Sequence, residues 1–203
     1  MAVHRLNLPV GQSDVEKLRA GDAVYLTGVI VTARDQAHRR ILELVERGEK
    51  PPVDLHGLAV YHCGPVVRRT GEEWEVVAAG PTTSYRLGML AAKLVEATGA
   101  RLVIGKGGLP LDAADALRRA GGVYLAFPGG AGALAAKRVE RVEAVYWLDE
   151  LGVPEALWVL RVRNFGPLTV AIDLHGGNLY AEVAKRVKEM LPKALETALR
   201  ALQ

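Results

Sequence analysis

The sequence predicts a single α/β domain over residues 1–203, built on a mixed β-sheet. Two observations support this. Short β-branched runs alternate with amphipathic helical segments along most of the chain. Half of the residues are hydrophobic, which is enough for one sizeable core. The formal net charge of +3 is mild. It argues against a dedicated nucleic-acid-binding protein, because such proteins concentrate basic residues on one face.

The first half of the chain predicts two helices and three strands. Ser13 and Glu16 have the spacing of a capping box, which predicts a short helix running through Ala20. A second helix is predicted at residues 35–47, where apolar residues recur at helical spacing before Gly48. We expect the early strands to pair in an antiparallel or mixed manner. These β-rich runs cover residues 23–31, 58–63 and 74–78.

The second half alternates more regularly. Helices are predicted at residues 84–98, 112–120 and 131–138. Strands are predicted at residues 102–104, 123–127, 142–147, 157–162 and 168–173. The chain ends in a long amphipathic helix, residues 180–202, whose apolar stripe we expect to pack on the core. Pairing with a partner helix is the alternative. The stripe consists of Val183, Val187, Leu191, Leu195 and Leu199.

Composition also bears on compartment and source. The one cysteine, Cys63, can form no internal disulfide and cannot hold a metal cluster alone, so we expect it to be a small apolar residue in a strand. The first ten residues lack a signal-peptide pattern. No apolar run reaches the ~20 residues that span a bilayer. We therefore expect a cytoplasmic protein. Asn and Gln are scarce, with three of each, which favours a thermophilic source.

Polar residues of one character follow three of the predicted strands. In open α/β sheets, ligands gather beyond the strand ends where helices begin, and free backbone N–H groups there attract anions. Each of the three junctions adds a cation: Arg34, Arg86 and Lys106. Guanidinium groups bind carboxylates bidentately, whereas the lysine ammonium acts as a point charge. Two arginines and one lysine predict a ligand with two carboxylates. The junctions are residues 32–35, 80–86 and 104–108.

Further candidate side chains lie in or beside these junctions. Thr82 and Thr83 offer hydroxyl groups that can bond a carboxylate, and His38 lies one turn into the helix after the first junction. Simpler explanations remain open for each candidate. The threonines could cap the following helix. His38 could be a surface or a satisfied histidine, Lys106 could lie in an exposed turn, and Arg34 could form a solvated surface pair with Asp35.

Two nucleotide-binding patterns were weighed against these junctions. The Gly105-Lys106 pair resembles the end of a phosphate-binding loop, but Gly107 replaces the required Ser or Thr, so this pattern is rejected. Residues 130–135 form a GxGxxA pattern after a predicted strand, and Asp149 lies near the offset of a ribose-binding acid. A dinucleotide-binding module is therefore a remote alternative, and close helix–strand packing is the simpler interpretation of these glycines.

Taken together, the motifs resemble those of class I (iron–sulfur) fumarate hydratase β subunits and L(+)-tartrate dehydratase β subunits. The resemblance follows the chain in order over nearly its whole length. It rests on GDxVYLxG at 21–28, TARDxxH at 32–38, HxGP at 62–65, GPTTSxR at 80–86, GKGG at 105–108, PGG at 128–130, ELGxPE at 150–155, NFGPL at 164–168 and DxHG at 173–176.

This resemblance implies a fold, an activity and a partner. The fold would be a swivelling β/β/α domain like the fumarase C-terminal domain. The chain would be the β subunit of a heteromeric lyase, a [4Fe–4S]-dependent hydro-lyase that needs an α subunit. That α subunit would bind the iron–sulfur cluster through three cysteines, and this chain would bind none. Residues 123–180 resemble archaeal fumarase β subunits most, which ranks fumarate hydration, a tricarboxylic acid cycle reaction, above tartrate dehydration. The full stoichiometry and self-association of the isolated chain are left open.

The resemblance also implies roles for individual residues. Substrate carboxylates would be bound by Arg34, Thr82, Thr83, Arg86 and Lys106. One threonine of the pair would abstract the proton. The charge that then develops on the adjacent carboxylate is best stabilised by preorganised cations and N–H donors.

His38 is a further catalytic candidate that could orient or protonate instead. The chain departs from the family pattern at Leu87 and Gly88, and a glycine inside a helix is expected to cost stability. It also has Ala131 where relatives often have a cysteine.

Overall fold

A computed structural model describes residues 1–201, with side chains to residue 196. Seven of the strands within this range form one mixed sheet in the order β1-β2-β3-β6-β7-β9-β8, and β4 and β5 form a separate hairpin. The predicted α/β fold with a mixed sheet is confirmed. The strands are β1 (Val3–Asn7), β2 (Ala23–Thr32), β3 (Ala59–Tyr61), β4 (Val66–Thr70), β5 (Glu73–Ala78), β6 (Leu102–Gly105), β7 (Val123–Ala126), β8 (Val139–Tyr146) and β9 (Leu157–Ile172).

Most of the predicted helices are present, with shifted ends. The chain also forms a short helix between β8 and β9 that the sequence analysis missed, and it missed the strands β1 and β4. The helices are α1 (Gln12–Val15), α2 (Asp35–Glu46), α3 (Gly88–Thr98), α4 (Leu111–Arg119), α5 (Gly132–Ala136), α6 (Leu148–Leu151) and α7 (Leu179–Ala201). A single 3-10 turn, Tyr85–Leu87, precedes α3. Within residues 1–201, no helix combines the length and the apolar character needed to cross a membrane.

The main sheet closes on itself through its longest strand. Strands β2, β3, β6 and β7 run parallel, side by side, and β9 pairs antiparallel with both β7 and β2. Five strands therefore form a small closed barrel. The prediction of two strands at residues 157–162 and 168–173 was wrong, because β9 is continuous. The residues that resemble a turn in sequence form an irregularity within the strand. Asn164 has φ 48° and Gly166 has φ 146°, and Phe165 between them is fully buried.

The early strands were expected to pair in an antiparallel or mixed manner, and the mixed alternative is confirmed, because β2 has both parallel and antiparallel neighbours. β1 pairs parallel with β2, and β2 pairs parallel with β3. The connections explain the parallel pairing. A helix-bearing crossover separates each of these strands from the next, so that each new strand runs in the same direction as the last. The antiparallel pairs in the described chain involve β9 or the β4–β5 hairpin.

Two hydrophobic clusters cover the two faces of the barrel wall. Inside, aromatic side chains pack edge to face, with the rings of Tyr61 and Phe165 5.4 Å apart. Outside, helices α2, α3 and α4 pack on the wall through residues such as Ile41, Leu94 and Leu117, each fully buried. The parallel strands are thus buried on both faces, as their continuous apolar runs predict.

Two expectations about helix starts need correction. α1 spans only Gln12–Val15, and its first turn is closed by the Gly11 N–H, which donates to the Asp14 carboxylate at 3.1 Å. The capping box proposed at Ser13 was therefore wrong. Gly88 begins α3 and packs closely on α4, because a Cβ there would lie 2.8 Å from Ala113 Cβ. A glycine is needed at this helix crossing, so its cost in helix propensity has a structural reason.

The predicted packing of the C-terminal helix on the core was wrong. Every residue from 182 to 196 is exposed, including Val183, Val187, Leu191 and Leu195 of the predicted stripe. The helix leaves the body of the molecule just after Tyr180, so nothing else among the described residues covers the stripe. The side chain of Leu199 and the predicted helix end at Leu202 lie outside the described residues.

Candidate active site

The carboxyl ends of three neighbouring parallel strands bring the first and third junctions together. Thr32, Tyr61 and Ile104 are aligned in one row across β2, β3 and β6. The residues that follow these strands therefore emerge at one edge of the barrel. Arg34 follows β2 and Lys106 follows β6, with the end of β3 between them. This is the edge at which α/β sheets bind ligands.

The second junction reaches the same edge by a different route. It follows β5 of the hairpin, not a strand of the main sheet, and it lies across the ends of β3 and β6. The Thr82 N–H donates to the His62 carbonyl at 2.6 Å, and the Ser84 N–H donates to the Lys106 carbonyl at 2.8 Å. Thr83 also forms a parallel bridge with Lys106. The threonine pair is thus held between the two strand ends.

Each of the two arginines is paired with a carboxylate. Arg86 forms an ion pair with Asp35, and Arg34 Nε lies 3.3 Å from Glu155 Oε1. The alternative of a surface pair between Arg34 and its neighbour Asp35 is therefore wrong, because each of these two residues pairs with a different partner. Glu155 also accepts the Gln36 N–H at 2.9 Å, so it ties Arg34 to the start of α2. Each carboxylate thus fixes the position of one arginine that was predicted to bind the ligand.

Space for the cations is provided by glycines. A Cβ at Gly64 would lie 3.1 Å from Arg34 Nη1 and 2.7 Å from the Pro154 carbonyl oxygen. The Lys106 side chain lies over Gly129, where a Cβ would be 3.6 Å from Nζ. Among the described side chains, which end at residue 196, the Lys106 ammonium has no ion-pair partner, in contrast to the arginines. The edge therefore retains net positive charge that an anionic ligand can neutralise.

His38 does not reach the open edge. Its side chain is fully buried, and Nδ1 lies 2.9 Å from the Arg34 carbonyl oxygen. Because a carbonyl only accepts, Nδ1 carries the proton of the neutral ring. Burial lowers the pKa of His38 to about 4. His38 is therefore a neutral residue that supports the backbone at Arg34, and its catalytic role stays a prediction.

His62 and Ser84 form a buried contact that the sequence analysis did not single out. His62 Nδ1 lies 2.8 Å from Ser84 Oγ, and both side chains are fully buried. Burial, with the nearby His38 and Arg86, lowers the pKa of His62 well below its ordinary value. Gly105 makes room for this contact, because a Cβ there would lie 1.8 Å from Ser84 Oγ. The HxGP and GPTTSxR motifs contain these two residues, but neither motif indicates that the two side chains are in contact.

The described side chains include no set that fits a metal or cluster site. Within the described range, no group of three or more His, Cys, Asp and Glu side chains is placed to hold a metal ion. Cys63 is fully buried, and burial raises the pKa of its thiol to about 12, which opposes the thiolate form that metals require.

The GxGxxA stretch shows close packing. α5 has only five residues, Gly132–Ala136, and a Cβ at Gly132 would lie 3.1 Å from the Gly80 backbone nitrogen. The Ala79 N–H donates to the Gly132 carbonyl at 3.0 Å. These glycines let α5 approach the start of the GPTTSxR segment.

The chain is similar in sequence to several known proteins. A family model described as the fumarase C-terminus matches residues 2–183. The L(+)-tartrate dehydratase subunit beta of Escherichia coli K12 is 46% identical over 185 residues, which is 91% of this chain and 90% of the relative. A Methanocaldococcus jannaschii protein, provisionally named as that subunit, is 47% identical over 89% of this chain and 92% of its own length. A Geobacillus stearothermophilus protein, provisionally named a class I fumarate hydratase, is 40% identical over 94% of this chain but only 36% of the relative.

Proposed function

The chain belongs to the fumarase C-terminus family, and we propose from this premise that it is the β subunit of a two-subunit hydro-lyase. The observation that carries the proposal is the cationic edge, where Arg34, Arg86 and Lys106 lie on three segments that meet at the strand ends together with the threonine pair. Three cations on separate segments fit a small dicarboxylate better than a single carboxylate. The substrate class is therefore proposed to be a four-carbon dicarboxylic acid.

The chemistry proposed for this chain is the handling of negative charge. Arg34, Arg86 and Lys106 bind the substrate carboxylates. Hydration and dehydration are the two directions of one reaction, and in the dehydration direction the substrate hydroxyl leaves from one carbon, where a Lewis acid on the partner subunit would accept it. The deprotonated side-chain oxygen of Thr82 or Thr83 takes the proton from the neighbouring carbon, which lies beside one of the carboxylates. Charge then moves into that carboxylate, and the fixed cations stabilise it most at this point. The ion pairs with Asp35 and Glu155 hold the arginines in place before the substrate arrives, which avoids reorganisation during the reaction.

His38 is proposed to act through Arg34. Its Nδ1–H donates to the Arg34 carbonyl, and this contact fixes the backbone from which the guanidinium extends. A side chain that is fully buried and neutral is poorly suited to deliver a proton to a substrate at the open edge. Orientation is therefore the role that the geometry favours over protonation.

An α subunit is proposed to complete the site. The names of the tartrate dehydratase relatives assign them to one subunit of a larger enzyme, and the Geobacillus relative is nearly three times as long as the matched region. The rest of the enzyme is thus expected on a separate chain, together with the [4Fe–4S] cluster. Exposed apolar residues near the edge fit a covering partner. They are Tyr85, Met89, Leu111 and Leu134.

Hydration of fumarate to malate is the proposed reaction, and dehydration of L(+)-tartrate to oxaloacetate is the second candidate. The resemblance of residues 123–180 to archaeal fumarase β subunits favours the first. The names of the relatives at 46–47% identity favour the second. The cations and threonines of the edge suit both reactions, because both substrates are four-carbon acids with a carboxylate at each end.

The test is anaerobic co-expression of the full chain with its α subunit, with malate–fumarate interconversion and tartrate dehydration assayed side by side. Activity should require both chains. Arg34→Ala and Lys106→Ala should each lower kcat/KM by about a hundredfold or more, because each removes a fixed cation from the developing charge. Arg119→Ala and Lys93→Ala are matched controls at exposed helix positions away from the edge. A stable complex inactive on both acids would refute the substrate class.

A further inference from the structure

The C-terminal helix carries an apolar surface that no described residue covers. From residue 182 to residue 196 every side chain is exposed, so α7 extends from the body as an arm about 22 Å long. Isolated helices of this length are only marginally stable in water, and most helices gain stability by packing an apolar face. The arm is therefore expected to have a binding partner.

The stripe and its borders define the chemistry of that partner. At about 100° per residue, the apolar side chains of the arm fall on one face. Arg186 and Lys193 border this face on one side, and Lys188 borders it on the other. The glutamates of the arm point elsewhere. The apolar face consists of Val183, Val187, Met190, Leu191 and Leu195, each about half exposed.

The cationic borders disfavour pairing with a second copy of the chain. In an antiparallel pair of these helices, each border faces the same border of the second copy. In a parallel pair, each border faces the other border of the second copy. Both arrangements place cations against cations, which is unfavourable at positions flanking an apolar seam. A groove with an apolar floor and carboxylates along its rims fits the arm instead.

An anionic membrane surface fits less well. Residues 182–196 contain four basic and three acidic residues, so the arm has a net charge of only +1. They contain no aromatic residue to anchor it at the headgroup level. A protein groove is therefore the better match.

The base of the arm lies beside the candidate active site. The Tyr180 ring packs on Gly108, two residues after Lys106, and a Cβ at Gly108 would lie 2.8 Å from that ring. Tyr180 also lies beside Tyr124, with ring centroids 6.5 Å apart. A protein that covers the cationic edge is thus adjacent to the start of the arm.

We infer that the arm docks in an apolar, carboxylate-rimmed groove of the α subunit, and that this contact fastens the two subunits together outside the active site. The inference rests on the proposed function for the identity of the partner. It adds an interface made by residues 183–195, which extends the contact beyond the catalytic edge.

The test measures the affinity of the full chain for the α subunit by titration calorimetry. Val187→Asp should raise Kd at least about tenfold, because it places a charge in the centre of an apolar contact. The double variant Arg186→Glu/Lys188→Glu should weaken binding to a similar degree. Lys185→Glu, a charge reversal on the opposite face, is the matched control and should change Kd less than about twofold. The urea midpoint of each variant checks that the fold is retained.

The outcomes separate the two proposals. Dehydratase activity of the wild-type complex decides the proposed function. An unchanged Kd for Val187→Asp in that active complex overturns the docking inference alone. Two further results also overturn it, provided that Val187→Asp abolishes them and leaves Kd for the α subunit unchanged. One is concentration-dependent dimerisation of the isolated chain, and the other is its binding to phosphatidylserine–phosphatidylcholine vesicles. If the wild-type chain binds no α subunit, both proposals fail.

Discussion

The buried histidines differ in what they hold. His38 supports the backbone of Arg34, whereas His62 contacts the threonine segment twice. Its carbonyl accepts the Thr82 N–H, and its ring bonds Ser84 Oγ. Thr82 and Thr83 are therefore set between two contacts to one residue. Because a displacement of about 1 Å can cost a hundredfold in rate, this support bears directly on catalysis.

Replacing His62 by Leu is expected to lower kcat of the complex between about ten- and a hundredfold, with KM nearly unchanged. The cations still bind the carboxylates, and the backbone contact with Thr82 remains, but the threonine segment loses the side-chain contact at Ser84 that helps to fix its position. Steady-state kinetics measure both constants. His62→Gln, which can still bond Ser84, should retain more activity.

A double-mutant cycle separates this role from a loss of general stability. Ser84→Ala should reproduce the loss seen in His62→Leu, and the double variant should lose no more than either single one, because all three remove the same contact. His56→Gln, at an exposed position, is the control. Additive losses would contradict the proposed coupling.

At the scale of elements, the packing of α3 on α4 depends on a residue that looks unfavourable in sequence. Gly88→Ala should destabilise the chain by about 1–3 kcal/mol, because the new Cβ would lie 2.8 Å from Ala113 Cβ and 2.9 Å from Pro110 Cδ. This outweighs the gain of about 1 kcal/mol that alanine brings in helix propensity. Urea denaturation measures the difference. Lys93→Ala, exposed on the same helix, should stay within about 0.5 kcal/mol, and equal midpoints for both variants would refute the close-packing argument.

What the sequence could predict was set by the range of the interactions involved. The extents of β2 and α2 follow from local periodicity and turn residues, so both were predicted nearly to the residue. The continuity of β9 depends on pairing with β2 and β7 far away in sequence, which no local pattern contains. The stripe on α7 was read correctly as amphipathic, but periodicity cannot tell which surface covers it.

The same limit applies to the candidate site. Arg34, Arg86 and Lys106 were found from the chemistry of their own segments. Their convergence depends on the parallel register of β2, β3 and β6 and on a hairpin that returns across the strand ends. The exchange by which Asp35 pairs with Arg86 joins residues 51 positions apart, so the sequence alone suggested the nearer neighbour.

At the scale of the whole molecule, the packing of α2 and of the residues after β3 keeps both histidine rings away from water, and this should make folding stability depend on pH. The ordinary pKa of histidine is 6.5, and that of folded His38 is about 4. The pKa of His62 is lowered in the same direction. As pH falls, the unfolded chain takes up protons first. The stabilisation from the neutral rings is therefore fully present above pH 6.5 and is lost as pH falls towards 4.

Each histidine should contribute a slope of up to about 1.4 kcal/mol per pH unit in this window. Urea denaturation of the full chain between pH 7 and pH 4 measures the slope. Carboxylates also titrate below pH 5, so the informative quantity is the difference between variants. His38→Gln should reduce the slope between pH 6.5 and 5 by one group, and His56→Gln, at an exposed position, should leave it unchanged. If the slope in His38→Gln equals that of the wild type, the ring is not held neutral by burial. His38 would then be available as an acid after all, and its catalytic role would regain priority over the orienting one.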